Sequence, residues 1–178
     1  MNGRAWANVH ATALVVGDRG VLIRGRSGSG KSSLALALVA RYRAEGRFAR
    51  LVADDRIDLA AANGRLLARA PAAIAGLCEV HGLGPHPVVH EPHAVIDLVV
   101  NLVPADQARR YADDLTDSIL GCILTALALA ERNQVSALAA VFACLEQRAA
   151  LPLLPSRRFD LPRQANDLGL STRIASTR

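Results

Sequence analysis

Of the chain's 21 basic residues one, Lys31, is a lysine and the rest are arginine. Where arginine is the rule, a lysine marks a position that needs a compact ammonium instead of a planar fork. It lies in Gly25-Arg26-Ser27-Gly28-Ser29-Gly30-Lys31-Ser32, which satisfies the GxxxxGKS pattern. Such glycines let the backbone wrap with its N–H groups pointing inward, and a following helix adds its positive end. All eight residues are therefore read as a cradle for a nucleotide's β-phosphate. Lys31 would reach the β- and γ-phosphates, and the Ser32 hydroxyl would ligate magnesium.

Phosphoryl chemistry also needs acids, and Asp54-Asp55 supply two in sequence after a short apolar run. Adjacent residues of an extended strand point to opposite faces, so the two carboxylates cannot share one task. One would meet magnesium directly or through water, while the other accepts the proton of an attacking hydroxyl. Taken alone, His10 reads as an ordinary core or surface side chain, and Glu79 is equally unremarkable.

These residues need elements to hold them. Apolar and polar residues alternate from Val9 to Val16, turn at Gly17-Asp18-Arg19-Gly20 and resume at Val21-Leu22-Ile23, a hairpin that feeds the glycine-rich loop. Leu34, Ala35, Leu38 and Val39 recur at helical spacing between Ser32 and Arg43. Gly46 ends that helix, and 49–53 read as a strand running into the aspartates, a first βαβ-like unit. Asn63-Gly64 predicts a second hairpin. Residues 82–85 are too rich in Gly and Pro for regular structure and read as a loop. Residues 94–103 form a strand that stops at Pro104, a polar helical turn spans 106–111, and one apolar strand lies near 119–129. Gln134 to Gln147 closes the domain as an amphipathic helix with Leu138, Val141, Phe142 and Leu145 on one face.

Composition sets the outer bounds. A chain of 178 residues with 51% apolar and 21% charged residues holds one folded domain. Aromatic residues are only 3%, leaving no stacking surface for single-stranded nucleic acid, and the net charge of +5 is spread along the chain. No apolar run reaches the roughly 20 residues of a bilayer span, and no secretory leader is recognisable, so no membrane or nucleic-acid partner and a cytoplasmic location are expected. Cys78, Cys122 and Cys144 are odd in number, lack CxxC spacing and read as small core hydrophobes. The expected division is a catalytic domain over 1–150 and a basic, Pro-containing tail over 151–178 with little periodicity.

From about His10 to Leu145 the motifs resemble, in order, the catalytic domain of the HPr kinase/phosphorylase family, in a short form without the usual N-terminal domain. The matching features are His10 ahead of the loop, the Gly20–Ser32 stretch, Ala53-Asp54-Asp55, and Gly76-Leu77-Cys78-Glu79-Val80-His81-Gly82-Leu83-Gly84 in place of a LLEIRGLG-like signature. The resemblance implies an α/β fold: a P-loop-containing mixed β-sheet flanked by helices, like that of phosphoenolpyruvate carboxykinase. It implies ATP and Mg2+, with Lys31 on phosphate and Ser32 and Glu79 on the metal. Asp55 would be the proton acceptor of the kinase step and the donor of its reverse, assisted by His10, which leaves Asp54 as a metal ligand beside Ser32 and Glu79. The family's catalytic arginine falls at Arg110, with Arg109 as the other placement. A loop used in dephosphorylation falls near 128–133, where Arg132 stands. Departures are Ala11 for a glycine and His81 for an arginine.

The expectation is thus an ATP- and magnesium-dependent kinase acting on a serine of an HPr-like phosphocarrier protein of the phosphotransferase system, with reversal as a further activity. The resemblance also implies a homo-oligomer, commonly a hexamer. Other classes remain: an ATP-sensing regulatory module without transfer, a small-metabolite kinase with a closed pocket, and a basic nucleic-acid binder.

Overall fold

The structure, a computed structural model, describes residues 5–80, 82–108 and 116–149. The expected tail over 151–178, Arg109, Arg110 and His81 lie outside the described residues. Alternating patterning makes β1 (Ala7–Val16) and β2 (Arg19–Arg24) an antiparallel hairpin in which Val16 faces Arg19, so Gly17 and Asp18 form the turn. The loop after β2 opens directly into α1 (Lys31–Ala44), which buries Leu34, Leu38 and Tyr42 at four-residue intervals. Next, β3 (Ala49–Ala53) pairs antiparallel with β1 and so runs parallel to β2. The βαβ-like unit is present, with β1 inserted between its two parallel strands.

Asn63 and Gly64, with φ of 50° and 73°, turn β4 (Arg56–Ala62) into β5 (Arg65–Arg69). Both central residues need left-handed backbone in that turn type, which explains why this dipeptide was such a clear signal. Two long strands then tie the molecule together. In β1, residues Ala7–His10 pair with β4 and Ala11–Val16 with β2. In β8 (His93–Val103), the first residues pair antiparallel with β5, and the rest lie parallel to β2 and to β10 (Cys122–Ala130). The ladder β1-β2-β8-β5-β4 therefore closes on β1. At the corner of this ring a Cβ on Gly20 would sit 2.1 Å from the Val95 carbonyl oxygen, so only glycine lets β2 approach β8 there.

Two expectations are corrected. The apolar run 119–129 is not one strand: β9 (Thr116–Ile119) turns at Leu120-Gly121 and pairs antiparallel with β10. Leu120 takes φ 50°, a left-handed turn position that leucine rarely occupies and that composition does not announce. The Gly/Pro-rich 82–85 stretch is not irregular throughout either. There β6 (Leu77–Val80) and β7 (Gly84–Pro87) form a two-stranded ribbon, with Glu79 opposite Pro85. Prolines are tolerated because the ribbon's outer edge requires no N–H donor.

Both helices, α1 and α2 (Gln134–Ala149), pack on one face of the sheet, where Leu14, Ile23, Leu38, Val100 and Val141 share a core. The opposite face buries Leu22, Val52, Ile57, Leu66 and Val99 beneath the β4–β5 hairpin. Leu138 and Phe142 are partly buried, and Ala137, Val141 and Leu145 form the inner stripe of α2. Cys78 and Cys122 are buried and Cys144 is partly so. Among the described residues, no helix is long and apolar enough to cross a membrane.

Candidate active site

The site lies where β1, β2 and β3 deliver their ends to α1. Gly25 leaves β2 at φ 155°, and a Cβ there would meet Ser29 Oγ at 2.6 Å and the Leu102 carbonyl oxygen at 2.9 Å. Gly28 and Gly30 follow at φ 71° and 99°, conformations that glycine adopts without penalty. The glycines thus wrap the loop tightly onto β8 and point it into the first turn of α1. Lys31 folds back over this loop, donating to the carbonyls of Gly25 (3.2 Å) and Arg26 (3.1 Å). Burial pushes its ammonium below the ordinary lysine range, opposed by the charges of Asp54 and Asp55.

Asp54 and Asp55 diverge as expected, by a different device. The strand ends at Ala53, and Arg56 N donates 2.8 Å to the Asp54 carbonyl across Asp55, whose φ is 66°. This tight three-residue turn, of the strained positive-φ kind, aims the two side chains apart. Asp54 is 4% exposed and gathers four donors. Its Oδ1 accepts from Thr12 Oγ1 (2.7 Å) and Ser32 Oγ (2.8 Å), and its Oδ2 from Glu79 N (3.1 Å) and Cys78 Sγ (3.4 Å). Asp55 is exposed and lies 3.1 Å from His10 Nε2. The two acids are thereby set to different work, one locking three elements together and one facing solvent.

His10, Lys31, Ser32, Asp55 and Glu79 all line one cleft of about 560 Å3, together with Ser27, Gly28 and Gly30 of the loop. Gly25, Arg26 and Ser29 form the loop's base and shoulder, and Asp54 lies behind Ser32. Of the expected site residues, Arg110 and its alternative Arg109 lie outside the described residues. The donors at the cleft wall are oxygens and one imidazole, a set suited to a hard cation and to moving a proton.

Sequence reasoning missed three contributors. Thr12 and Cys78 hold Asp54 from neighbouring strands. Burial, reinforced by the nearby Asp54 charge, pushes the Cys78 thiol up to about 12, which makes it a donor here and not a nucleophile. The third is Glu131. It follows β10 and receives a two-pronged ion pair from Arg26, through Nε at 2.8 Å and through Nη2. The bond from Arg26 holds Glu131 below the usual carboxylate range. Its neighbour Arg132, at φ 58°, donates N–H to the Ser29 carbonyl (3.0 Å) and Nε to the Gly28 carbonyl (3.3 Å). The 131–133 turn therefore clasps the glycine-rich loop from the side of α2. No local signal links Arg26 to a residue 105 positions away.

A mixed sheet with helices packed on it, and a cleft walled by the glycine-rich loop between β2 and α1, the divergent acids between β3 and β4, and residues of β1 and β6, defines an α/β protein. The family model described as HPr Serine kinase C-terminal domain matches residues 5–124, and the chain belongs to that family. The HPr kinase/phosphorylase of Clostridium beijerinckii is 41% identical over 76 residues, covering 43% of this chain and 23% of that protein. That of Lactobacillus acidophilus is 33% identical over 112 residues, covering 58% of this chain and 33% of the relative. The chain thus spans a quarter to a third of the curated relatives it matches. The solved structure of the Hpr(Ser) kinase/phosphatase from Coxiella burnetii superposes with a TM-score of 0.60 at 28% identity, covering 80% of this chain and 94% of that one.

Proposed function

We propose that the protein is an ATP-dependent serine kinase acting on an HPr-like phosphocarrier protein of the phosphotransferase system. The observation that carries this reading is the juxtaposition, across one cleft, of a P-loop with its lysine and a solvent-facing Asp55 held by His10 at 3.1 Å. The loop amides and Lys31 would grip the β- and γ-phosphates, the part of phosphoryl transfer that is almost entirely positioning and charge stabilisation. Asp55 would take the serine proton during in-line attack. His10 Nε2 stands 3.1 Å from one carboxylate oxygen, which would leave the other for the incoming hydroxyl.

Asp55 is 56% exposed in its side chain, so a serine carried on a protein surface can reach it. A small-metabolite kinase would instead shield its acceptor from water, and this exposure favours the macromolecular substrate.

The residues also fit a magnesium ion. Mg2+ is usually held by one or two protein groups, with phosphate oxygens and water completing the octahedron. Ser32 Oγ and the Glu79 carboxylate supply such groups in the cleft. Asp54, already accepting four hydrogen bonds, would act on the cation through Ser32. When bound, the cation would neutralise charge developing on the transferred phosphoryl group. Reversal of transfer, the second activity in the relatives' names, would use Asp55 as donor and place Arg132 beside the loop.

The test is phosphotransfer. Incubated with ATP, magnesium and the cognate carrier, the protein should yield phosphoserine by mass spectrometry. Asp55→Asn should lower the rate by at least about a hundredfold, the smaller end of what a general base contributes. Transfer that survives Asp55→Asn unchanged defeats the role of Asp55, and an unmodified carrier defeats the kinase reading.

A further inference from the structure

Of the arginines whose side chains are described, eight pair with a carboxylate. Arg43 and Arg132 donate to backbone carbonyls instead. Arg56 does neither. Its guanidinium has one contact, from Nη1 to the Asn8 side-chain oxygen at 3.5 Å, the outer limit of a hydrogen bond. This arginine stands beside the reacting groups: it follows Asp55 directly, opens β4 and faces His10 across the β1–β4 ladder. Side chains directly opposite each other in such a ladder start about 5 Å apart. Acid, imidazole and guanidinium therefore share one exposed end of the sheet.

Two features keep the Arg56 charge uncompensated. The tight turn at Asp55 aims that carboxylate at His10. On the other side, a row of polar groups ends in a neutral one. Arg69 Nε lies 3.5 Å from Asp58 Oδ2, and the Asn8 amide donates to Asp58 Oδ1 at 2.9 Å, so what faces Arg56 is an amide oxygen. Asp58 is thus committed to Arg69, which also stacks on Trp6 at 4.0 Å. Asn8, Arg56, Asp58 and Arg69 stand on the outward face, because Val9, Ile57 and Ala68 turn inward.

We propose that Arg56 is a docking residue for the protein substrate, pairing with a carboxylate that the acceptor protein carries close to its serine. The inference deepens the kinase reading above and rests on it. Arg56 does not line the cleft of about 560 Å3, so it does not serve a triphosphate gripped there. A serine placed at Asp55 must bring its own protein surface over the next residue, Arg56. A guanidinium with uncommitted donors suits a planar, two-pronged anion, and a carboxylate on that surface has this geometry. Having no ion pair to give up, Arg56 gains one on docking without an offsetting loss. Acceptors are thereby sorted: a serine flanked only by neutral or basic side chains should be a poor substrate.

Steady-state phosphotransfer with ATP, magnesium and the cognate carrier tests this. Arg56→Gln should raise KM for the carrier at least about fivefold, while kcat and the KM for ATP stay within about twofold. Arg56→Glu should raise it further, and Arg56→Lys should restore part of the loss. Arg69→Gln removes a neighbouring charge already closed by Asp58 and should leave KM for the carrier within about twofold. On the carrier, exposed Asp and Glu residues around the serine are replaced one at a time by Asn and Gln. One of these changes should raise KM with the original protein and add nothing with Arg56→Gln. An unchanged KM in Arg56→Gln, an equal rise in Arg69→Gln, a fall in kcat alone, or additive losses for every carrier variant overturns the docking role and leaves the kinase reading standing. Absence of transfer by the original protein removes both.

Discussion

Removing the Asp54 carboxylate should unfasten the molecule more than any other single change at the cleft. Its four donors come from β1 (Thr12), α1 (Ser32) and β6 (Cys78 and the Glu79 N–H), so one buried side chain joins three elements. In Asp54→Ala the Glu79 N–H and Thr12 hydroxyl lose their acceptor inside the protein. At about 1–3 kcal/mol for each buried group left unsatisfied, the loss is about 2–6 kcal/mol, against a typical total of about 5–15. Asp54→Asn should behave differently. The Thr12 and Ser32 hydroxyls can rotate to accept from a new amide NH2, while the remaining oxygen keeps the Glu79 N–H. That variant loses charge assistance but also relieves the cost of burying an anion, so it should fall within about 1–2 kcal/mol of the original protein. Urea unfolding of the three proteins measures both differences. If Asp54→Ala proves as stable as the original, or Asp54→Asn unfolds alongside Asp54→Ala, the carboxylate is not the fastener described.

Further outcomes follow from other contacts. Burial pushes Tyr42 up to about 12, as it does Cys78, from ordinary values of 10.0 and 9.0. Folded pKa values above the unfolded ones confer stability that is complete below about pH 9 and lost as pH rises through about 12, by a few kcal/mol in total. Denaturant titrations across that window should show the decline, and Tyr42→Phe should flatten part of it. Glu131 moves oppositely: its pKa is depressed, so the Arg26 clasp holds above the usual carboxylate range and fails as pH falls below it. Arg26→Glu and Glu131→Arg should each weaken nucleotide binding, and the double exchange should recover part of the loss when all four proteins are titrated side by side. Gly20→Ala must push a methyl group into the Val95 carbonyl. It should cost several kcal/mol or prevent folding, as read by thermal melting, although it touches nothing in the cleft.

What the residues disclosed in advance was mostly local. The Gly25–Ser32 loop, its helix and the Asn63-Gly64 turn each announce themselves within a few positions, because backbone geometry restricts which residues can serve. Residues 119–129 show only an apolar run, and the Leu120 turn inside it was invisible because leucine is not a turn-former. The β6–β7 ribbon was hidden by prolines that happen to occupy an edge. Partnerships over long separations were also illegible: Thr12 with Asp54, Arg26 with Glu131, and the closure of β4 and β5 against β8. Those depend on how strands register in three dimensions, and a hydrophobic pattern specifies a face without naming a neighbour. Placing the acid pair after β3 was correct, yet its divergence comes from the strained turn at Asp55 and not from strand alternation.

The closed ladder of five strands has a mechanical meaning for the cleft. His10 and Thr12 belong to β1, inside the hoop, where neither edge can peel without breaking pairings elsewhere in the circuit. Glu79 belongs to the ribbon outside it, moored through Asp54, through Cys78 in the core, and by the Leu51–His90 bridge with Glu91 N donating 2.7 Å to the Leu51 carbonyl. Two kinds of mounting therefore meet across one cleft: continuous backbone pairing along both edges of β1, and discrete contacts behind Glu79.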